Sequence, residues 1–186
     1  MPPYRRPRRP GATVFFTVAL AERGSDLLTR EVEVLRDAVR RVRARRPFGI
    51  HAWVVLPDHL HCVWTLPEGD AEYGVRWGAI KAHFSRSLRE RDAARGPGAG
   101  APFLPTEFPV VRSGRYAGLK PGLRVGKREC AIWQRRFWEH HIRDKADLVG
   151  HVRYCWANPV RHGLVERPED WPFSSVHRDM AAGRYR

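Results

Sequence analysis

The spacing of apolar positions divides most of the chain into a β-α-β-β-α-β succession of elements. Runs rich in β-branched and aromatic residues predict four strands, at residues 13–20, 50–56, 60–66 and 137–142. Apolar residues recurring at intervals of three and four predict two helices, over residues 31–45 and 75–91. This order is typical of a ferredoxin-like α+β fold with an antiparallel sheet, which is also the scaffold of the RNA-recognition motif.

An added helix follows the last predicted strand. Asp144 is a favourable N-cap, and Asp147 lies in the first turn, where the helix dipole favours anions. Because a proline disfavours helical geometry in the residue before it, Pro159 predicts that this helix ends near Asn158. One side of the helix is apolar, and a separate polar stripe consists of Asp147, His151, Tyr154 and Asn158.

These elements predict a single domain over residues 13–186 with a long insertion and an N-terminal arm. Residues 92–129 are rich in glycine and proline and show no sustained periodicity, which predicts an irregular insertion. Residues 171–175 are read as an apolar plug packed on the body of the domain. Residues 1–12 carry arginines among prolines, which predicts either a disordered tail or an extended arm that binds nucleic acid.

The net charge points to a kind of partner. The chain has 34 Lys and Arg against 20 Asp and Glu, a formal net charge of +14. Such a field attracts polyanions, of which nucleic acid is the commonest. An acidic membrane surface is the alternative, but the sequence has no basic amphipathic helix with an apolar face free for lipid. It also has no apolar run long enough to span a membrane.

Cysteine usage and the N-terminus bear on the compartment. Cys62, Cys130 and Cys155 are odd in number and have no metal-binding spacing, which indicates a reducing compartment with cysteines used as small hydrophobes. The N-terminus lacks the apolar segment of a secretory signal. We therefore expect a cytoplasmic protein, and nothing in the sequence implies a membrane or protein partner.

Two histidines flank one leucine at the start of the third predicted strand. Side chains alternate along a strand, so His59 and His61 share one face while Leu60 and Cys62 point to the other, where a core is expected. Two neutral imidazoles at this spacing can bind one divalent metal. Taken alone the pair is a weak signal, since two polar residues on the solvent face of a strand are common.

Several separate segments, in the same order, resemble the REP-associated tyrosine transposases. This family is a branch of the single-tyrosine HUH (His-hydrophobe-His) transposases of bacterial insertion sequences, and REP stands for repetitive extragenic palindrome. The segments that carry the resemblance are residues 4–6 leading into 15–18, residues 52–70, residues 132–140, Tyr154 with residues 158–160, and residues 170–175. The insertion at residues 92–129 departs from the short connection expected in this family.

The resemblance implies a single-stranded DNA endonuclease and strand transferase that acts at REP hairpins. It implies that Tyr154 attacks DNA to form a covalent 5′-phosphotyrosine with a free 3′-OH. It further implies that His59 and His61 bind a divalent metal ion, Mg²⁺ or Mn²⁺, with Asn158 in the place of a third ligand. Two other classes stay open: a non-catalytic nucleic-acid-binding module, and a metal-dependent nuclease that uses water in place of Tyr154.

Other residues are candidates for binding DNA or for supporting the site. Candidate DNA contacts are Tyr4, Arg5, Arg6, Arg8, Arg9 and Lys81. His140 and His151 are second-tier candidates, each interpreted as a structural or phosphate-facing histidine rather than a ligand. No role is predicted for His51, His83, His141, His162 and His177.

Overall fold

A four-stranded antiparallel sheet with the strand order β2-β3-β1-β4 organises the chain. The structure is a computed structural model that describes residues 9–95 and 132–185. Its strands are β1 (Thr13–Ala19), β2 (Gly49–Val55), β3 (His59–Thr65) and β4 (Trp138–His141). β1 pairs with both β3 and β4, which places it beside the strand that carries the two histidines. The sheet confirms the predicted α+β, ferredoxin-like fold class.

Five α-helices accompany the sheet in the described part of the chain. They are α1 (Leu27–Arg30), α2 (Val32–Arg45), α3 (Tyr73–Arg95), α4 (Lys145–Arg161) and α5 (Val176–Ala181). α3 continues past residue 91 because residues 92–95 are compatible with a helix, whereas Gly96 and Pro97 come next. No helix among the described residues is long and apolar enough to cross a membrane.

The prediction that the last long helix ends at Asn158 is wrong, because α4 continues through Pro159 to Arg161. Proline in a helix removes one backbone donor, and here the loss falls in the final turn. Carbonyls of that turn are bonded by following amides: His162 N–H donates to Asn158 at 3.0 Å and Leu164 N–H donates to Pro159 at 2.9 Å. Asn158 and Pro159 are also buried, so packing favours the helical path over local preference.

The two faces of the sheet bury different side chains. Alternate residues of β1 and β3 enter a core with α2 and α3, the largest contributors being Phe16, Trp64, Trp77, Phe84 and Leu35. The opposite face is covered by α4 and Trp171, and its apolar members include Phe15, Ala52, Val54, Val63 and Cys155. Both described cysteines, Cys62 and Cys155, are buried and free; Cys130 lies outside the described residues.

The C-terminal plug is confirmed and it completes the edge of β2. Trp171 is 2% exposed and its Nε1–H donates to the Val55 carbonyl at 2.8 Å. Val55 N–H donates to the Phe173 carbonyl at 2.9 Å, and Ser175 N–H donates to the Trp53 carbonyl at 2.7 Å. The insertion predicted at residues 92–129 lies outside the described residues beyond Arg95.

Candidate active site

The two histidines of β3 lie side by side on the face of the sheet that α4 covers. His59 is 6% exposed and His61 is 4% exposed, and their ring centroids are 5.0 Å apart. Leu60 and Cys62 are fully buried in the opposite core. The alternation expected from the sequence therefore holds, and it directs both imidazoles into a buried region beneath α4.

A neighbouring side chain fixes one ring nitrogen of each histidine. His61 Nδ1 is 2.9 Å from the Thr17 hydroxyl, and His59 Nδ1 is 2.6 Å from Asp58 Oδ1. Burial would raise the Asp58 pKa, but hydrogen bonds from His59 and the Gly24 amide outweigh it and lower the pKa to about 2. An ionised carboxylate only accepts, so Nδ1 of His59 carries a proton, and Nε2 is the nitrogen whose lone pair can bind a metal ion when that nitrogen is deprotonated.

Burial keeps His61 neutral. Desolvation, followed by the nearby charge of His59, lowers the pKa of His61 to about 3. A neutral imidazole is the form that binds metal ions. His61 is therefore in the ligating protonation state at neutral pH.

Tyr154 reaches the histidine pair from α4. Its ring centroid is 5.3 Å from that of His61, with the rings nearly perpendicular. Phe15 of β1 contacts both rings, at 5.6 Å from His61 and 5.7 Å from Tyr154. The Arg161 guanidinium lies 5.1 Å from the Tyr154 ring centroid, which places a positive charge beside the phenol.

Asn158 connects the tyrosine to the histidines. It is 1% exposed, and its Nδ2 donates to the Tyr154 carbonyl at 3.0 Å. The Asn158 side chain also hydrogen-bonds His61, and this bond opposes the larger effect of burial on the His61 pKa. Two imidazoles and a buried amide side chain therefore lie together, and these residue types form a ligand set that fits a divalent cation.

A second group of metal-binding residue types lies farther along the same sheet face. His140 of β4 and Asp147 and His151 of α4 each offer a ligand atom, and these atoms all lie within 4.8 Å of one another. His140 Nε2 is 2.9 Å from Asp147 Oδ2, and His151 Nδ1 is 3.0 Å from Asp147 Oδ1. By composition this group could also hold a cation, and it unites the two second-tier histidines with an acidic residue of the predicted polar stripe.

The hydrogen bonds in this second group favour a structural use of its ring nitrogens. Hydrogen bonds from His140 and the Arg143 amide hold the pKa of Asp147 well below its ordinary value, so its carboxylate only accepts. His151 Nδ1 is also 2.9 Å from the Asp147 carbonyl, and a carbonyl cannot donate. Both ring nitrogens therefore carry protons, and Arg143 Nε adds a further donor at 3.2 Å.

His162 is a residue of the site that the sequence argument missed. Its ring centroid is 5.1 Å from that of His59, at the C-terminal end of α4. The available signal was the polar stripe, because His162 lies four residues beyond Asn158 on a continuing helix. Because the predicted helix ended near Asn158, the sequence did not indicate that His162 belongs to the same stripe.

Of the predicted DNA-binding residues, Arg9 and Lys81 lie in the part of the chain that the structure describes. Tyr4, Arg5, Arg6 and Arg8 lie outside the described residues, and Arg9 is exposed. Lys81 donates to the Gln134 carbonyl at 2.8 Å and lies near the rings of Trp133 and Phe137. These contacts place Lys81 against the core of α2 and α3, on the side of the sheet away from the histidine pair.

Comparison with known proteins identifies close relatives over the full chain. No protein-family model matches the sequence. A REP-associated tyrosine transposase of Escherichia coli is 43% identical over 185 residues, covering 100% of this chain and 88% of the relative. A Haemophilus influenzae protein, provisionally given the same name, is 38% identical over 182 residues, covering 98% of this chain and 89% of that protein.

A solved structure agrees with the sequence relatives. The structure of a REP-associated tyrosine transposase bound to a REP hairpin is 41% identical, with a TM-score of 0.76. The match covers 100% of this chain and 89% of that one. With such identity over its whole length, the chain belongs to the family of REP-associated tyrosine transposases.

Proposed function

We propose that this protein is a single-stranded DNA endonuclease and strand transferase that acts at REP-like hairpins, with Tyr154 as the nucleophile. The observation that carries the proposal is the packing of the Tyr154 ring 5.3 Å from His61, beside the buried histidine pair. A tyrosine in this place is explained by chemistry at a phosphate better than by packing alone.

We assign metal binding to His59, His61 and Asn158 rather than to the group around Asp147. Nε2 of His59 is free to ligate because Nδ1 is held by Asp58, and His61 is neutral at pH 7. In the other group, the ring nitrogens that face Asp147 are donors. When bound, a divalent cation such as Mg²⁺ or Mn²⁺ supplies positive charge that neutralises a phosphate oxygen of the substrate.

The proposed reaction exchanges one phosphodiester bond for another. Tyr154 loses its phenolic proton, its oxygen attacks the scissile phosphorus, and the bond from phosphorus to the 3′-oxygen breaks. The products are a 5′-phosphotyrosine and a strand ending in 3′-OH, so rejoining needs no nucleotide cofactor. Arg161, 5.1 Å from the Tyr154 ring, favours the negative charge that develops on the phenol oxygen.

The proposed substrate follows from the relative and from the charge. The related protein of known structure is bound to a REP hairpin. The net charge of +14 suits a polyanionic substrate. We therefore propose a DNA hairpin of the REP class with a single-stranded flank that reaches Tyr154.

A denaturing gel with DNA labelled on its 3′ side tests this function. The protein, a hairpin oligonucleotide and Mn²⁺ should give a labelled covalent adduct, because the 5′-phosphotyrosine retains the 3′ part of the strand. Tyr154→Phe should abolish the adduct while hairpin binding persists. Tyr185→Phe, a tyrosine that contacts Trp156, is the matched control and should form the adduct normally.

Other outcomes separate the competing functions. Cleavage without any adduct, retained in Tyr154→Phe, would identify a hydrolytic nuclease. Hairpin binding with neither cleavage nor adduct would identify a non-catalytic binding module. Either result contradicts the proposed nucleophile.

A further inference from the structure

We propose that Trp138 is a stacking platform for one unpaired nucleobase of the strand that enters the active site. This inference rests on the proposed function, since it deepens the substrate contacts of the same site. Trp138 lies on β4, at the edge of the sheet, and is 57% exposed. Nucleobases stack readily on exposed aromatic rings, largely without regard to sequence.

The exposure of Trp138 is unusual within the described residues. The other exposed large hydrophobic side chains there are Val75, Val149 and Met180, at 40–43%. None of those three has an aromatic face. An indole that is exposed to solvent on a short strand is therefore typical of a surface that binds a ligand.

Trp138 is one side chain away from the catalytic centre. In the sheet register Trp138 pairs with Thr17, whose hydroxyl is 2.9 Å from His61 Nδ1. The ring of Phe15 meets Trp138 edge-on at 5.7 Å, and the same ring contacts Tyr154 at 5.7 Å. A base on Trp138 would thus lie close to the scissile phosphate beside Tyr154.

The ring of Trp138 is held in place by a column of stacked rings. Trp138 and His140 are nearly parallel, at 9° with centroids 6.1 Å apart, and His140 stacks on His151 at 4.6 Å and 15°. Asp147, in the first turn of the helix that carries Tyr154, accepts hydrogen bonds from both histidines: from His140 on its carboxylate and from His151 on its backbone carbonyl, each at 2.9 Å. This arrangement gives the His140–Asp147–His151 group a role without a cation.

A preformed platform reduces the entropic cost of binding, because an immobilised ring loses little conformational freedom when a base covers it.

The surroundings of Trp138 favour nucleic acid over an apolar partner. Arg143, whose side chain is 73% exposed, binds the same Asp147 that holds the stacked histidines, so a positive charge is available to the phosphates of a strand on this face. An exposed aromatic ring and an exposed cation on the same part of the sheet together suit a single strand of nucleic acid.

Fluorescence anisotropy with hairpin oligonucleotides that each carry one abasic position in the single-stranded flank tests the platform. The full chain carrying Tyr154→Phe is used, so that binding is measured without cleavage. Trp138→Ala should weaken binding of intact DNA about 10-fold, and Trp138→Phe should restore most of it. Val149→Ala, which trims another exposed apolar side chain, is the control and should leave the affinity unchanged.

The decisive result comes from combining the Trp138→Ala substitution with each abasic position and asking whether their effects on affinity are additive. One abasic position should weaken binding to the protein with Trp138 but cause no further loss in Trp138→Ala. If every abasic position weakens both proteins equally, the platform is contradicted while the proposed function stands. If the hairpin is not bound at all, both the platform and the proposed function fail. Rescue by phenylalanine separates loss of stacking from loss of folding.

Discussion

At the scale of single residues, the site depends on how neighbours orient each imidazole. The sequence predicts the shared face of His59 and His61 because strand alternation is a local property. It could not predict that Thr17 holds Nδ1 of His61, since Thr17 lies on another strand and only the strand register brings the two side chains together. The contact between Asn158 and His61 could not be predicted either, because it joins α4 to β3, which are far apart in the sequence.

Asp58→Asn tests the orientation of His59. An amide in place of the carboxylate no longer fixes the proton on Nδ1, so Nε2 becomes a weaker ligand. We expect about a 10- to 100-fold higher Mn²⁺ concentration for half-maximal adduct formation, with hairpin binding retained. An unchanged metal requirement, measured by titrating Mn²⁺ in the adduct assay, would show that Asp58 does not act through the metal site.

At the scale of elements, tertiary packing determines where a helix ends when the conformational preference of its residues is overridden. The strands and the two central helices could be predicted because their apolar periodicity is sustained. The structure has strands and helices at these positions. The end of α4 could not, because the buried environment of Asn158 and Pro159 is set by the rest of the fold. One consequence was that His162 went unassigned.

A second packing feature joins α2, α3 and the turn between β3 and α3. Arg76 is 1% exposed, and its guanidinium donates to both carboxylate oxygens of Asp70, at 2.7 and 2.9 Å. It also donates to the carbonyls of Arg46 and Pro47, at 3.3 and 3.0 Å. The loss of one partner leaves a buried charge uncompensated, which is costly.

Asp70→Asn should therefore lower the free energy of unfolding by about 3 kcal/mol near pH 7, measured by urea denaturation. Asp37→Asn, in an exposed ion pair with Arg40, is the control and should cost less than about 1 kcal/mol. The hydrogen bond from Arg76 is the main cause that lowers the Asp70 pKa below its ordinary value of 3.8.

The lowered pKa of Asp70 determines how the difference in unfolding free energy between wild type and Asp70→Asn depends on pH. A carboxyl whose folded-state pKa is depressed contributes stability above pH 3.8 and loses it as pH falls through the folded-state value. The difference between wild type and Asp70→Asn should therefore shrink as pH falls below about 4. A difference that stays constant from pH 6 to pH 3 would contradict this account of the ion pair.

At the scale of the whole molecule, charge and fold give complementary information. The charge of +14 predicts a polyanionic partner but cannot locate its binding surface. The fold brings the residues of the candidate site together by placing β1, β3, β4 and α4 on one face, with the apolar core of α2 and α3 on the other. Lys81 illustrates the difference between charge and location: its positive charge made it a candidate DNA contact, whereas its contacts in the structure are with residues beside that core.

Hairpin binding should weaken steeply as salt rises, because phosphate contacts release counterions. For contacts to single strands the logarithm of the association constant changes with the logarithm of salt by about −0.7 per phosphate. Arg143→Gln should reduce that slope by about 0.7, whereas Arg36→Gln on α2 should leave it unchanged. Equal slopes for wild type and Arg143→Gln, by anisotropy, would exclude Arg143 from the DNA path.

The central claim is that Tyr154 becomes covalently linked to DNA beside the histidine pair. Mass spectrometry of the trapped adduct, after nuclease and protease digestion, tests it most directly. We predict one modified peptide, with a 5′-linked nucleotide on Tyr154, that is absent when His59 and His61 are both replaced by alanine. A nucleotide on another tyrosine, or cleaved DNA with no modified peptide, would contradict the account.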